Sequence, residues 1–438
     1  MTPADDVTSS TPAVSEPVSE PDGGGRPTRR SELADPGVVA GRRVALVLAT
    51  STGGVGRHVH SLAGHLHAAG ADVRVFGPAA TEDLFGFTRL GVAFGPIDIA
   101  AGMRPTRDAA AVLALRHRTT GFDLIHAHGL RAGLVAVLGS AGRTAPVVVT
   151  WHNLAPGALP VPATAAATST SPRPAGAGIT GSGRPGGSGW SGPARHVLTG
   201  RLERLVARRA EVTLGVSADL VARAWALGGR DVRLAPVGAP PLPPPSRSRD
   251  DVRAELGAGD RPLVLAIGRL HPQKGYDILV AAAARWRDRD PVPLVVVSGS
   301  GPLRDELAAA ITRTGAPVRL LGRREDIADL LAAADVAVLP SKWEARSLVA
   351  QEALRAGLPL VTTRVGGLPG LVGDAAVLIP PDDVPALDAA VRRLLASPRD
   401  RAALAARARA QAATWPTEAD TAGQVAAVYA ELLGPSAG

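Results

Sequence analysis

The chain has 438 residues, an apolar fraction of 45%, a formal net charge of +8 and no cysteine. Such a length exceeds one ordinary domain and allows two cores, while the lack of thiols excludes cysteine catalysis, disulfides and cysteine-ligated zinc and suits a reducing cytoplasm. The charge suggests an anionic partner, a phosphorylated substrate or an acidic membrane surface, unless it only reflects an Arg- and Ala-rich composition, and aromatics at 3% leave little on which to stack bases, so no nucleic-acid partner is expected.

Residues 1–40 are Ser, Pro, Thr, Gly and acids without an apolar run, and read as a disordered tail with no signal-peptide core. "RRVALVLAT" then reads as a strand, "STGGVGRHVHSLAGHLHAAG" as a glycine-rich turn opening a helix, and "DVRVFGP" as a second strand, which together make a βαβ unit. Strands follow at "FDLIHAH" and "PVVVTWH". Residues 155–194 are low-complexity and read as an exposed disordered insertion, before the helix "RHVLTGRLERLVARRA" and the strand "EVTLGVS". After a proline-rich linker, "PVGAPPLPPPSRSRD", the rhythm restarts with "PLVLAIGRL", "PLVVVSGSG", "VRLLG", "DVAVLPS" and "PLVTTRVGG", each followed by a helix except the last. Nearly continuous apolar strands are those of parallel sheets buried on both faces.

The fold class is therefore α/β, with two doubly wound Rossmann-like domains, residues 41–238 and 239–415, facing a central cleft. Ligands belong at the strand carboxyl ends that face it. No stretch reaches the roughly 18 apolar residues of a membrane-spanning helix. Arg195, Arg201, Arg204, Arg208 and Arg209 join an apolar Leu and Val face in one helix, which fits either peripheral membrane contact or, the favoured reading, an amphipathic helix packed on its own sheet.

Gly53, Gly54 and Gly56 open the first helix, where free N–H groups and the positive dipole end suit an anion. The dinucleotide fingerprint is incomplete, since Val59 follows and "VRVFGP" offers no carboxylate, and no phosphate-loop lysine motif occurs. In the second half, "GRLHPQKG" puts Arg269 and Lys274 just past a strand's carboxyl end, two cations that suit a diphosphate unless both are merely solvated. "GSGPLRDEL", with Gly299 and Gly301, adds a loop of close approach. In "PSKWEARSLVAQEALRAGLP", Glu344 precedes a helix whose first-turn donors are read as the N–H groups of Ala345, Arg346, Ser347 and Leu348, and Glu352 lies deeper in it. The two acids stand up to ~12 Å apart at a 1.5 Å rise, a spacing for two parts of one elongated ligand and too wide for a shared-proton dyad.

Taken together, "GRLHPQKG", the two acids and "TTRVGGLPGLV" resemble family 4 of the retaining, nucleotide-sugar-dependent glycosyltransferases, of GT-B fold, over residues 42–433. The resemblance implies a donor-binding second domain, an acceptor-binding first domain and a last helix, within 416–434, that crosses back to the first. Carried onto matching positions, it implies that Arg269 and Lys274 bind the donor diphosphate and that Gly54 to Gly56 close over it. Glu352 would hold the ribose, Glu344 the transferred sugar with the N–H groups after it, and His128 would lie near the reaction centre, with His126 structural.

It further implies front-face transfer to an acceptor hydroxyl, the leaving phosphate taking the proton, with no protein nucleophile and no cofactor besides the sugar nucleotide. No metal is expected, because no D-x-D stands beside a strand end in the second half and the two cations already do its work. The acceptor is open, a lipid-linked one included, and the expected location is the cytoplasm or the inner membrane face. Ala345, Arg346, Gly370 and "PVGAPP" depart from the family's common residues, so the sugar pocket is expected to be atypical. A non-catalytic sugar-nucleotide binder and an epimerase are the rival readings, and the full set of key residues favours the transferase.

Overall fold

Short apolar runs separated by helices become two all-parallel sheets in the computed structural model, which describes residues 36–51, 53–154 and 193–434. The first contains β1 (Arg43–Leu48), β2 (Asp72–Gly77), β3 (Ala93–Pro96), β4 (Leu124–His128), β5 (Val147–Trp151), β6 (Val212–Gly215) and β7 (Val232–Leu234), in the order β3-β2-β1-β4-β5-β6-β7. The second contains β8 (Leu263–Ile267), β9 (Leu294–Ser298), β10 (Val318–Gly322), β11 (Val336–Leu339), β12 (Leu360–Thr363) and β13 (Val377–Ile379), in the order β10-β9-β8-β11-β12-β13. The direction of winding reverses between β1 and β4 and again between β8 and β11, and at such switch points the loops past the carboxyl ends part to leave a crevice.

Each sheet is covered on both faces. Ala45 and Val47 of β1 face one apolar layer, whereas Leu46 and Leu48 face the other, as the two-residue period of a strand requires. The second sheet divides its cores in the same way. β3, β7 and β13, which the sequence pattern does not reveal, are edge strands of only four, three and three residues, too short for a periodicity to show.

Pro36–Val39 form a 3-10 turn with Val39 fully buried, so the folded chain takes in the end of the segment read as a tail. The remainder of that tail and most of the insertion, residues 155–192, lie outside the described residues. The helix Pro193–Arg209 buries Val206 and Ala207 against the first sheet's core while Val197 and Leu198 are exposed. No helix among the described residues is long and apolar enough to cross a membrane.

The proline-rich segment between the halves is pinned. Gln351 accepts a bond from Ala239 N at 3.0 Å, Arg346 Nε donates to the Val237 carbonyl at 2.7 Å, and Arg355 donates to the carbonyls of Ala239 and Pro240. One helix of the second half, Leu348–Arg355 with the residues just before it, thus holds the first crossing. The chain crosses again before the helix Glu418–Leu433, which opens with a Thr417–Asp420 capping box and packs Val425, Val428 and Tyr429 into the core around β1. There the Tyr429 hydroxyl meets His126 Nδ1 at 2.6 Å, and Thr150 Oγ1 meets Nε2 at 2.6 Å.

Both polar atoms of the His126–Tyr429 pair are fully buried, so Tyr429→Phe leaves a ring nitrogen unsatisfied in the core. We expect a loss of about 1–3 kcal/mol in urea denaturation of the full chain.

Candidate active site

The first helix, Gly54–Ala68, starts without any side-chain cap. A Cβ on Gly54 would stand 3.1 Å from Leu348 Cδ1, so the loop after β1 touches the start of the helix Leu348–Arg355 across the cleft. Gly56 is different. A Cβ there would lie 2.1 Å from the Phe85 ring, and its N–H already donates to Ser51 Oγ at 3.1 Å. Its smallness serves packing under Phe85 and its donor is spent, so of the Gly54 to Gly56 stretch expected to cover a ligand, Gly54 alone lies at the mouth. The next residue, Arg57, brings its guanidinium to 3.8 Å from Glu352 Oε1 in the other half.

Glu352 is buried, and burial pushes its carboxyl above the usual range, with Arg57 and Arg355 pulling the other way. On the loop after β8, Lys274 Nζ reaches Glu344 Oε1 at 2.5 Å, and Ser341 Oγ donates to the same oxygen at 2.8 Å. Glu344 Oε2 has no hydrogen-bond partner among the described residues. Arg269 is exposed and makes no ion pair among them. Tyr276 lies beneath, its hydroxyl held in the neutral form by burial and then by Glu344, 2.9 Å from where a Cβ on Gly268 would be.

Three expectations change. Gly299 donates its N–H to the Gly322 carbonyl at 2.7 Å, and a Cβ would stand 1.9 Å from the Gly268 carbonyl oxygen, so it is a glycine to let two loops touch. The helix after Glu344 begins at Leu348, with Ser347 as its cap accepting from Ala350 N at 3.3 Å. First-turn donors open to a ligand are therefore those of Leu348 and Val349, while Ala345 is buried against the first half's core. Arg346 turns away from Glu344 toward Val237 and the Trp415 ring, and burial lowers its pKa to about 10. It holds the crossing rather than facing the cleft.

His128 ends β4 beside the switch point, fully buried. Its Nδ1 lies 3.2 Å from His152 Nε2, just past β5, and its Nε2 has no partner among the described residues. His58, on the first helix, completes a triangle, with ring centroids 5.5 Å from His128 and 5.2 Å from His152. Burial keeps His58 neutral with a pKa of about 4 and His126 at about 3, and holds His128 and His152 well below the usual range with help from neighbouring rings. Sequence reasoning missed His58 and His152. The signal for His152 was its place after "VVVTW", the same strand-end position that singled out His128 on the adjacent strand.

Comparison with known proteins agrees with this geometry. The family model described as "Glycosyl transferases group 1" matches residues 248–411, and that described as "Glycosyl transferase 4-like domain" matches residues 53–240. The glycogen synthase of Mycobacterium tuberculosis is 32% identical over 408 residues, covering 85% of this chain and 90% of the relative. The chain belongs to glycosyltransferase family 4. A D-inositol 3-phosphate glycosyltransferase of Kineococcus radiotolerans is 30% identical to this glycosyltransferase, covering 84% of the chain and 88% of the relative. Among solved structures, Anabaena HepE in complex with UDP matches at a TM-score of 0.69 and 21% identity, over 89% of this chain and all of that one. A sucrose-phosphate synthase from Thermosynechococcus elongatus matches at 0.68 and 21%, over 89% and 99%. The two parallel sheets of this glycosyltransferase are thus a GT-B fold.

The raised pKa of Glu352 has a consequence for stability. As pH climbs from the ordinary value near 4.5, the unfolded chain releases this proton first, so the folded state loses stability until the raised folded value is passed. Its exposed partner Arg57 offsets little of that loss. Melting curves of the unliganded protein should show Glu352→Gln above wild type at neutral pH and level with it at acid pH.

Proposed function

We propose that this glycosyltransferase moves a sugar from a nucleoside-diphosphate sugar to an acceptor hydroxyl with retention at the anomeric carbon. The observation that carries the reading is the Lys274–Glu344 pair at the β8–β11 switch point, with Arg269 on the same loop as Lys274, Glu352 in the following helix, and Gly54 and Arg57 of the first half against Leu348 and Glu352. The donor lies in the second half and the acceptor enters from the first. The solved complex of HepE with UDP and glucose supports the donor class, the base and sugar being left open.

In this reading the anomeric C–O bond breaks through an oxocarbenium-like state and its electron pair passes to the diphosphate oxygen, where charge develops. Arg269 and Lys274 stabilise that charge, together with the free N–H groups of Leu348 and Val349. The same phosphate oxygen takes the acceptor's proton as the new bond forms on the face the leaving group vacates, so no protein nucleophile is required. Glu352 accepts from the ribose hydroxyls, and Glu344 uses Oε2 for the transferred sugar while Oε1 stays paired with Lys274. His128, at the end of β4, approaches the sugar from the acceptor half. We place the reaction in the cytoplasm; a lipid-linked acceptor would be met at the inner membrane face.

Calorimetry separates the two acids. Glu352→Ala should weaken nucleoside diphosphate and nucleotide sugar alike, by roughly 1–3 kcal/mol for lost charged hydrogen bonds. Glu344→Ala should leave the diphosphate bound at least as well, since Lys274 loses its competing anion, while affinity for the intact donor and turnover both fall. Equal losses for both ligands in the folded Glu344 variant would show that this acid does not face the sugar.

The two cations also supply what a bridging magnesium or manganese ion would supply to the diphosphate. Asp288 and Asp290, the spaced acids of the second half, precede β9 at its amino end, the edge away from the cleft. Transfer should therefore run at an undiminished rate in chelator and gain nothing from added manganese. Activity abolished by chelation and restored by manganese would contradict this.

A further inference from the structure

The donor chemistry gives no part to His58 or His152, yet both are buried against His128. One nitrogen of each of the three lies within 4.8 Å of the others. As a purely structural cluster it is poorly satisfied. One proton between His128 Nδ1 and His152 Nε2 makes a single hydrogen bond, and His58 makes none among the described residues. Buried polar atoms left in this state call for a ligand or another explanation.

We propose that His58, His128 and His152 form a binding site for a late first-row divalent transition ion, zinc being the best match. Tetrahedral zinc with Zn–N bonds of about 2.0–2.1 Å sets neighbouring nitrogens roughly 3.3 Å apart, and the His128–His152 pair already stands at 3.2 Å. The third nitrogen, on His58, lies within 4.8 Å of the other two and would close that gap on binding. Without a carboxylate in the cluster, magnesium and calcium lack their preferred oxygen ligands, whereas imidazole suits zinc, copper and nickel. The ligands come from rigid elements, the helix Gly54–Ala68 and the ends of β4 and β5. His126, fixed by Tyr429 and Thr150, lies against the His128 ring with centroids 4.2 Å apart and supports its position. Three protein ligands leave the fourth position to water. The site belongs to the first sheet, on the other side of the cleft from Arg269 and Lys274, so its ion is not one that bridges the diphosphate.

The test uses the full chain, stripped with chelator and titrated with Zn2+ by calorimetry and with Co2+ by visible absorption, and needs no glycosyl transfer. One equivalent of zinc should bind, and cobalt should give the intense bands of a four-coordinate site. His58→Gln and His152→Gln should each weaken zinc by more than the roughly 10–100-fold lost on removing an outer-shell partner, whereas His65→Gln and His67→Gln, on the same helix but outside the cluster, should change nothing. Metal-free melting curves check folding. Should His152→Gln not fold, His58→Gln decides, because no hydrogen bond is lost with it. Zinc binding of equal strength in folded His58→Gln, a weak six-coordinate cobalt spectrum, or no stoichiometric binding at all would overturn the proposal.

Discussion

A parallel strand sandwiched between helical layers has no free face, and this constraint orders the rest of the molecule. Residues Val44 to Leu48 of β1 and Leu263 to Ala266 of β8 are essentially inaccessible, so chemistry can occur only past the strand ends. The glycine loop follows β1, His128 ends β4 and His152 follows β5. Arg269 and Lys274 follow β8, and Glu344 follows β11. All lie at carboxyl ends, and the main groups cluster at the two places where the order of the strands reverses.

Facing two such edges toward one another requires the halves to be held in register, and the second half does this with one segment. Between Trp343 and Arg355 the chain offers Trp343 Nε1 to Asp219 and buries Ala345 against the first half's core. It then binds the crossing through Arg346, Gln351 and Arg355, and presents Glu352 to Arg57. The residues that form the site and those that set the relation of the halves are therefore interleaved along a single stretch. Arg346 belongs to the second set: it anchors to Val237 and approaches Trp415, which itself donates to the Leu371 carbonyl.

The site's electrostatics differ between its two sides. On the second half, Lys274 and Glu344 are mutually satisfied in a partly desolvated position, where a charge without a partner is costly. Exposed Arg269, on the same loop after β8 as Lys274, gives an anionic ligand a cation to meet first. On the first half the groups, apart from exposed Arg57, are neutral imidazoles, kept so by burial and by one another. An arrangement of charge opposite hydrogen-bonding rings suits a ligand that is anionic at one end and hydroxylated at the other.

Much of this was legible in the residues themselves. Runs such as "RVALVL" and "LVLAI" are apolar enough to dictate buried parallel strands, and alternation with helices dictates two doubly wound layers. Strand ends marked Arg269, Lys274, Glu344 and His128, because a short chain leaving a buried strand must surface at the edge. Tertiary structure alone decided the partners. Gly56 and Gly299 read as phosphate-loop glycines, yet their smallness is demanded by Phe85 and by the Gly268 carbonyl, contacts from residues 29 and 31 positions away in sequence. Arg346 read as part of the sugar pocket, but its reach to Val237 depends on where the crossing passes. His58 and His152 are separated by 94 positions, and only the closing of β4 beside β5 and the packing of the first helix bring them to His128. A side chain's type and its place along a strand are local properties of sequence; the neighbour it meets is set by the packing of the whole sheet.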